Sequence, residues 1–407
     1  MRAAAGIASR PWIASTSQLG WTVWGIALAG VVGAVLLSTR QGIFPVFTGA
    51  GRAWLESRPI YEEHHDLDRF LYAPIVAPLF APLSLLPGRL AGVSWRLFSV
   101  AVFGWAMARY LRRSRRQASA AFWLLILPLM LGSIHNGQTN VLLLGVMLLG
   151  VVALREERWW LAALCLGAAT LCKIYPGFLA LLAVLYAPRA LLWRLPLVLA
   201  AGLALPFLLQ HPDYVCHQYA DWWQALRVQD RTLWALERAP RDLLVLFRLT
   251  GSLPPLPLYW GVQLLLTIVM VRLARVRIAR GNEQTLHVLF TLGVCWMVTL
   301  GPATESSTYC FLAPVLGLAL LEERRRPRRN WLGVIYLVLV FSAAACWFPL
   351  GKHWAGVTQP LAGLAFFLER IAWAARLPAR RREESIAVVQ TRVVMEAETK
   401  PCADANV

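Results

Sequence analysis

The chain has 407 residues, of which 58% are hydrophobic and only 15% are charged. A soluble protein is about 45–50% apolar and about 25% charged, so this composition excludes a cytosolic enzyme, a disordered protein and a secreted disulfide scaffold. The net charge of +18 does not indicate nucleic acid as a partner, because most of the basic excess lies in short clusters between apolar runs, as in cytoplasmic loops. We therefore expect an all-α, polytopic integral membrane protein whose surroundings are the lipid bilayer.

The apolar runs set the expected number of membrane helices. At about 1.5 Å of rise per residue across roughly 30 Å of hydrocarbon, the runs that can contribute are residues 20–38, 72–87, 91–111, 119–134, 140–154, 159–172, 174–188, 194–210, 256–275, 285–301, 309–321, 331–349 and 357–376. Several are short enough to be half-helices or re-entrant segments. We expect about 11–13 transmembrane helices in a single domain, residues 1–378. The first helix is expected to be retained, because its run lacks a signal-peptidase site.

Clusters of arginine predict the orientation, because basic loops stay in the cytoplasm. The clusters are Arg112–Arg116, Arg272–Arg280, Arg324–Arg329 and Arg380–Arg382. They place the polar loops 39–71 and 211–255 on the outer side of the cell membrane, and they leave residues 379–407 as a disordered cytoplasmic tail. Only one crossing fits between the first outer loop and the first cluster, yet two apolar runs lie there. Either the run 72–87 is re-entrant or one basic cluster breaks the rule.

The first outer loop carries the densest group of carboxylates. It begins with Arg40-Gln-Gly and continues as Val46–Leu55, which could form an amphipathic helix that lies on the membrane. A polar cluster follows at Tyr61–Arg69. That cluster holds Glu62, Glu63, Asp66 and Asp68 beside two histidines. One of these carboxylates could be the general base that takes a proton from a sugar hydroxyl. The alternative is a solvated loop. No metal site is expected, because the histidines have no partner ligands at fixed spacing.

Polar amides interrupt the apolar pattern at His135–Asn140. Asn136, Gln138 and Asn140 lie between two apolar runs, and Gly137 permits a helix break there. Polar groups near the membrane are costly unless they bind a ligand or satisfy a freed backbone. The amides therefore either contact substrate or cap the adjoining helices.

Lys173 is the most informative single residue. It ends an apolar run and precedes Ile-Tyr-Pro-Gly, so it stands at a helix end in or beside the membrane. A cation there favours an anion, and a lipid phosphate is the obvious candidate. The alternative is a lysine that snorkels to the interface.

A further break, Gly301–Tyr309, carries one carboxylate and four hydroxyl groups. Its four serine and threonine hydroxyls are joined by the phenol of Tyr309. Glu305 in this segment could bind an acceptor hydroxyl or pair with Lys173 or an arginine, and a simple capped turn is the alternative. No Walker loop, GxGxxG, HExxH or GxSxG stands in a supporting context, and no cofactor is expected. No nucleotide-sugar domain is present, so any glycosyl donor would be carried on a lipid.

Taken in order, the motifs resemble the polyprenol-phosphate-mannose-dependent mannosyltransferase-like family, glycosyltransferase family 87, whose fold is of the glycosyltransferase C type. The resemblance spans roughly residues 40–320. The similar segments are the Ala/Gly-rich helix closing in Leu-x-x-x-Pro-x-Tyr at Gly49–Tyr61, the Tyr-x-Pro and Ala-Pro-Leu-x-x-Leu-Pro elements in Tyr72–Pro87, Asn-Gly-Gln-x-Asn at Asn136–Asn140, and Lys-x-x-Pro at Lys173–Pro176.

The resemblance implies transfer of a sugar, typically mannose, from a polyprenyl phosphate to a glycolipid or glycan acceptor on the outer face, with inversion. It implies Lys173 as a ligand of the donor phosphate, and we add Arg231 from the second outer loop. The expected early-loop Asp is absent, since Gln41–Phe47 contains no carboxylate. Either the base is Asp68, Asp66 or Glu63, or Glu305 serves, or activity has been lost.

The sugar and acceptor are then expected at Tyr72, Asn136, Gln138, Asn140 and Glu305. The rival functions are a transporter or flippase of an anionic lipid or glycolipid, which Lys173 and the broken helices would also suit, a catalytically inactive family member, and a membrane scaffold.

Overall fold

The computed structural model describes residues 11–38, 41–61, 69–114, 119–228, 234, 239–248, 253–279, 284–302, 304–323 and 331–377. Within this part of the chain every regular element is a helix, and several helices are long and apolar enough to cross a membrane. The structure thereby confirms the expected all-α, polytopic membrane fold.

The helices follow one another with short connections. In chain order they are α1 (Pro11–Leu37), α2 (Phe44–Leu55), α3 (Val76–Ser84), α4 (Gly88–Arg113), α5 (Ala120–His135), α6 (Asn140–Arg155), α7 (Trp159–Cys172), α8 (Gly177–Tyr186), α9 (Pro188–Leu191), α10 (Arg194–Ala204), a 3-10 helix (Leu205–Leu208), α11 (Pro212–Val228), α12 (Leu243–Arg248), α13 (Leu256–Ala279), α14 (Thr285–Thr299), a second 3-10 helix (Ser306–Leu312), α15 (Ala313–Glu323), α16 (Trp331–Ala345) and α17 (Pro349–Arg376).

Four stretches in the described residues are long and apolar enough to span: Gln18–Leu37, Gly88–Arg113, Pro188–Leu208 and Leu256–Ala279. Shorter apolar helices of 10–17 residues accompany them, namely α5, α6, α7, α8, α14 and α16. Helices α14 and α15 are buried along most of their length, whereas α10 and α13 leave most of their apolar residues exposed. An exposed apolar helix belongs in lipid, so α10 and α13 lie at the periphery and α14 and α15 in the centre.

The run 72–87 contributes only α3, which has nine residues. Nine residues rise about 14 Å, less than half of the hydrocarbon thickness. Instead of crossing, α3 packs against α2: the rings of Phe47 and Phe80 stack with centroids 4.7 Å apart. A Cβ atom on Gly51 would lie 2.7 Å from the Phe80 carbonyl carbon. In this region of the described chain, α4 is the helix that is long and apolar enough to span a membrane.

The bundle has two chemically different ends. At the arginine end, Glu156 binds Arg113 at 2.6 Å and Arg109 at 3.4 Å, and Arg277 donates to the carbonyls that close α17. At the opposite end, which we call the site end, α2, α3 and α11 pack beside the breaks that follow α5, α7 and α14. Helix α11 is fixed there by Ile60 N, which donates to Gln218 Oε1 at 2.9 Å.

The close approach of α2 to α3 predicts opposite effects for two glycines of one helix. We expect Gly51→Ala to lower the melting temperature in detergent, because its Cβ atom would overlap the backbone of Phe80, and overpacking costs about 1–3 kcal/mol. Gly49→Ala is the matched control, because a Cβ atom there meets nothing within 4 Å and alanine favours the helix. Equal melting temperatures for the two variants would contradict this packing.

Candidate functional site

Lys173 lies in the break between α7 and α8, in an extended conformation with φ −141° and ψ 140°. Its Nζ donates to Asn140 Oδ1 at 2.7 Å. The ammonium also lies over two aromatic rings, 5.6 Å from the centroid of Tyr72 and 5.5 Å from that of Tyr175. Aromatic faces attract a cation without neutralising it, so the side chain is held in place as a positive charge.

Two other helix breaks face each other beside Lys173. Asn140, which begins α6 and is fully buried, donates through Nδ2 to Ser307 Oγ at 3.3 Å. Gln138 donates through Nε2 to Glu305 Oε2 at 2.8 Å, and Ser307 Oγ lies 3.5 Å from that same carboxylate oxygen. A continuous set of hydrogen bonds thus connects the Lys173 ammonium to the Glu305 carboxylate. We call these five residues, Lys173, Asn140, Ser307, Glu305 and Gln138, the polar network.

Glu305 is fixed by its place in the chain as well. It precedes the 3-10 helix Ser306–Leu312 and forms a capping box with Thr308, in which each side chain bonds the other residue's backbone N–H. Capping satisfies backbone donors that a helix start leaves unpaired. The capped-turn interpretation of this segment is therefore correct as local structure, and the same carboxylate also accepts from Gln138.

The break between α5 and α6 depends on a buried arginine that the sequence did not single out. Arg96, in α4, is 2% exposed and donates to His135 O at 2.7 Å and to Gln41 O at 3.0 Å. Trp95 Nε1 donates to Gly137 O at 3.0 Å, and Gly137 adopts φ +68°, a conformation that favours glycine. The one signal in the sequence was an arginine well inside α4, away from Arg109 and the arginine cluster at the end of that helix.

Tyr72 connects the site to the polar loop of the site end. Its hydroxyl lies 3.3 Å from Thr139 Oγ1, and its carbonyl accepts from Tyr61 OH at 2.7 Å. The ring of Tyr61 contacts that of Phe70 at a centroid distance of 5.8 Å. The residues on either side of the acidic cluster are therefore anchored to Tyr72, which itself lies against Lys173.

The predicted site residues divide into three groups. Tyr72, Gln138, Asn140, Lys173 and Glu305 come together. Asn136 instead lies at the entrance to α2, where its carbonyl accepts from Ile43 N at 3.1 Å and a Cβ atom on Gly42 would lie 2.4 Å from Asn136 Oδ1. The residues Glu63, Asp66, Asp68 and Arg231 lie outside the described part of the chain.

One hydrogen-bond acceptor of the polar network, Gln138 Oε1, binds no donor in the described part of the chain. Gln138 is 2% exposed, and its Oε1 has no hydrogen-bond partner among the described residues. A buried polar atom without a partner costs about 1–3 kcal/mol. The arrangement thus combines a held cation, a carboxylate and a buried amide oxygen, which suits a ligand with both an anionic group and hydroxyl groups.

The comparison with known families agrees with the resemblance in the sequence. A family model described as glycosyltransferase family 87 matches residues 70–302, which is more than half of the chain. The match includes Tyr72, the break between α5 and α6, and Lys173, and it ends three residues before Glu305. No curated protein matches the chain.

The role of Arg96 can be tested by removing its donors. We expect Arg96→Met to lower the melting temperature strongly, because each carbonyl left unpaired costs about 1–3 kcal/mol. Arg89→Met in the same helix is the control, because Arg89 is exposed. The measurement is thermal unfolding of purified protein in one detergent. A variant at Arg96 as stable as the one at Arg89 would show that Arg96 does not hold the breaks.

Proposed function

This chain belongs to glycosyltransferase family 87 and is a membrane glycosyltransferase, and we propose that it moves a hexose such as mannose from a polyprenyl-phosphate donor to a glycolipid or glycan acceptor, with inversion. The observation that carries the proposal is the polar network, in which hydrogen bonds through Asn140 and Ser307 join a lysine ammonium to a carboxylate at one end of the membrane helices.

Lys173 is the proposed ligand of the donor phosphate. An ammonium has three N–H donors, and Asn140 accepts one of them. Since the donor is a phosphodiester with one negative charge and the product is a phosphomonoester with up to two, negative charge grows on the phosphate as the sugar leaves. A fixed cation therefore stabilises the transition state more than the bound donor. Arg231, from the second polar loop, is proposed as a second ligand.

The proposed base is a carboxylate of the acidic cluster, Asp68 first and Asp66 or Glu63 next. Support comes from the neighbours of the cluster, because Tyr61 and Phe70 are both anchored to Tyr72 beside Lys173. The base takes the proton of the acceptor hydroxyl, whose oxygen then attacks the anomeric carbon on the face opposite the phosphate. The bond from that carbon to the phosphate oxygen breaks, and the electron pair leaves with the polyprenyl phosphate.

Gln138 and Glu305 are proposed to orient the sugar or the acceptor through hydroxyl groups. A sugar hydroxyl can donate to Gln138 Oε1, which has no partner among the described residues, or to the Glu305 carboxylate, which is hydrogen-bonded to the same Gln138 side chain. By the positive-inside rule the arginine end belongs in the cytoplasm. The site end would then face outward, where a lipid-borne donor replaces a nucleotide sugar.

A catalytically inactive, lipid-phosphate-binding protein is the second candidate. It is favoured by the stretch Gln41–Phe47, which carries no carboxylate where the resemblance leads us to expect an Asp. Gln41 lies against α4, since a Cβ atom on Gly92 would be 2.9 Å from Gln41 Oε1, and its carbonyl accepts from Arg96. This candidate predicts binding of polyprenyl phosphate without transfer.

Replacing Lys173 tests the phosphate site. We expect Lys173→Met to lower kcat by about 10²–10³-fold, the usual cost of removing one transition-state charge stabiliser. Lys352→Met is the matched control, because Lys352 is exposed near the beginning of α17, and it should stay within about twofold of the wild type. The measurement is transfer of labelled sugar from polyprenyl-phosphate hexoses in proteoliposomes. Full activity of the Lys173 variant would exclude the proposed phosphate role.

Removing the carboxylates tests the base. We expect the combined change Asp68→Asn, Asp66→Asn and Glu63→Gln to lower transfer by about 10²–10⁴-fold while donor binding persists, because a general base contributes about that much. Glu56→Gln is the control, a neighbouring carboxyl whose pKa is held below its usual value by hydrogen bonds from Arg52 and Arg58. Unchanged transfer in the triple variant would show that none of these three carboxylates is the base. Lipid flux across vesicles without sugar transfer would favour a transporter.

A further inference from the structure

A second buried polar cluster lies directly behind the turn that carries Glu305. Arg241, which precedes α12, is 5% exposed. Its Nη1 donates to Gln359 Oε1 at 2.5 Å and lies 3.0 Å from Cys346 Sγ. These partners come from α17 and from the end of α16, so one guanidinium connects three separate parts of the chain.

Arg241 and Gln359 also hold the backbone of the Glu305 turn. Arg241 N donates to Thr304 O at 2.6 Å, and Tyr309 OH donates to Arg241 O at 2.8 Å. Gln359 Nε2 donates to Ser306 O at 3.4 Å. Both residues that flank Glu305 therefore accept a hydrogen bond from this cluster, Thr304 from the main chain of Arg241 and Ser306 from the side chain of Gln359. The Glu305 carboxylate itself accepts from Gln138.

A buried guanidinium such as that of Arg241 is not needed merely to fill space in the interior. Burying a guanidinium is costly, and a well-packed apolar residue often stabilises a protein equally well. An arginine gives what an apolar residue cannot, namely several N–H donors in a rigid planar fork. Here Nη1 donates to Gln359, and Gln359 in turn donates to the Ser306 carbonyl next to Glu305. The direction of the Glu305 carboxylate is thus set from both of its neighbours.

We propose that Arg241 is a positioning residue, which holds the turn 304–307 so that the Glu305 carboxylate points into the polar network. The inference rests on the proposed function, in which Glu305 orients a reacting hydroxyl. Through Arg241, the segment 239–248 at the end of the second polar loop controls the geometry of the site. A misplacement of about 1 Å at a reacting centre can cost about 10²-fold in rate, so a residue that contacts no substrate can still govern kcat.

The kinetic test uses four variants in proteoliposomes: Arg241→Ala, Glu305→Gln, the double variant, and Arg248→Ala. Arg248 is the matched control, because it lies in the same segment and donates to Trp234 O rather than to the turn. We expect Arg241→Ala to lower kcat by about 10–100-fold with the donor KM within about twofold. In the Glu305→Gln background, the same change should lower kcat by no more than about twofold, because the two residues act as one unit.

A readout independent of turnover completes the test. Hydrogen–deuterium exchange of the peptide covering residues 301–312 should accelerate in Arg241→Ala and stay unchanged in Arg248→Ala, and the peptide containing Lys173 should not change in either. Additive losses of kcat, a raised donor KM at unchanged kcat, or exchange equal to that of the wild type would each overturn the role of Arg241. If the wild type transfers no sugar from any polyprenyl-phosphate donor, the proposed function fails, and the exchange experiment alone then decides whether Arg241 holds the turn.

Discussion

A buried guanidinium, that of Arg96, satisfies backbone carbonyls at two helix breaks, and the candidate site depends on both of them. Lipid offers no partner to a freed carbonyl, so a break at membrane depth persists only where protein supplies a donor. Arg96 supplies donors to Gln41 before α2 and to His135 at the end of α5. The second break lets α6 begin at Asn140 with its amide facing Ser307 and Lys173. The ammonium of Lys173 thus owes its partner to an arginine that lies in another helix.

Lys173 and Glu305, the two charged residues of the polar network, are connected through Asn140 and Ser307 rather than by a direct ion pair. The Lys173 ammonium lies on the amide oxygen of Asn140, and the Glu305 carboxylate accepts from the amide of Gln138. A direct ion pair between lysine and glutamate would give each charge a strong, charge-assisted partner that a ligand would have to displace. Neutral amides hold both groups in position at a smaller cost of exchange.

Local patterns in the sequence predicted most of the fold and, of the five residues in the polar network, all but Ser307. Hydropathy gave the all-α membrane class, the amphipathic stretch became α2, and Lys173, Gln138 and Glu305 all lie at the breaks that Pro, Gly and polar residues indicated. The packing of α3 on α2 was not predictable, because it depends on the close approach of Gly51 to Phe80, which is no property of either segment alone. Arg241 and Gln359 were missed for the same reason, since 118 residues separate them. Asn136 belongs to the same motif as Gln138 and Asn140, yet it packs at the entrance to α2, where Gly42 leaves room for its side chain.

Helix breaks provide the polar groups that the proposed lipid-phosphate ligand would need. The phosphate of a polyprenyl lipid stays at the membrane surface, where the hydrocarbon ends, so its ligands must lie at that depth. In a continuous apolar helix the backbone groups are already hydrogen-bonded to each other. A break exposes the backbone groups at the helix ends, and it brings in polar side chains such as Asn140, which begins the helix after the break. Here the three breaks after α5, α7 and α14 meet in the polar network, at the end of the bundle where α2 and α11 also lie. Arg96 binds the break after α5, and Arg241 binds the turn that follows α14. Because buried arginines hold the polar network in this way, the outer surfaces of the surrounding helices can stay apolar.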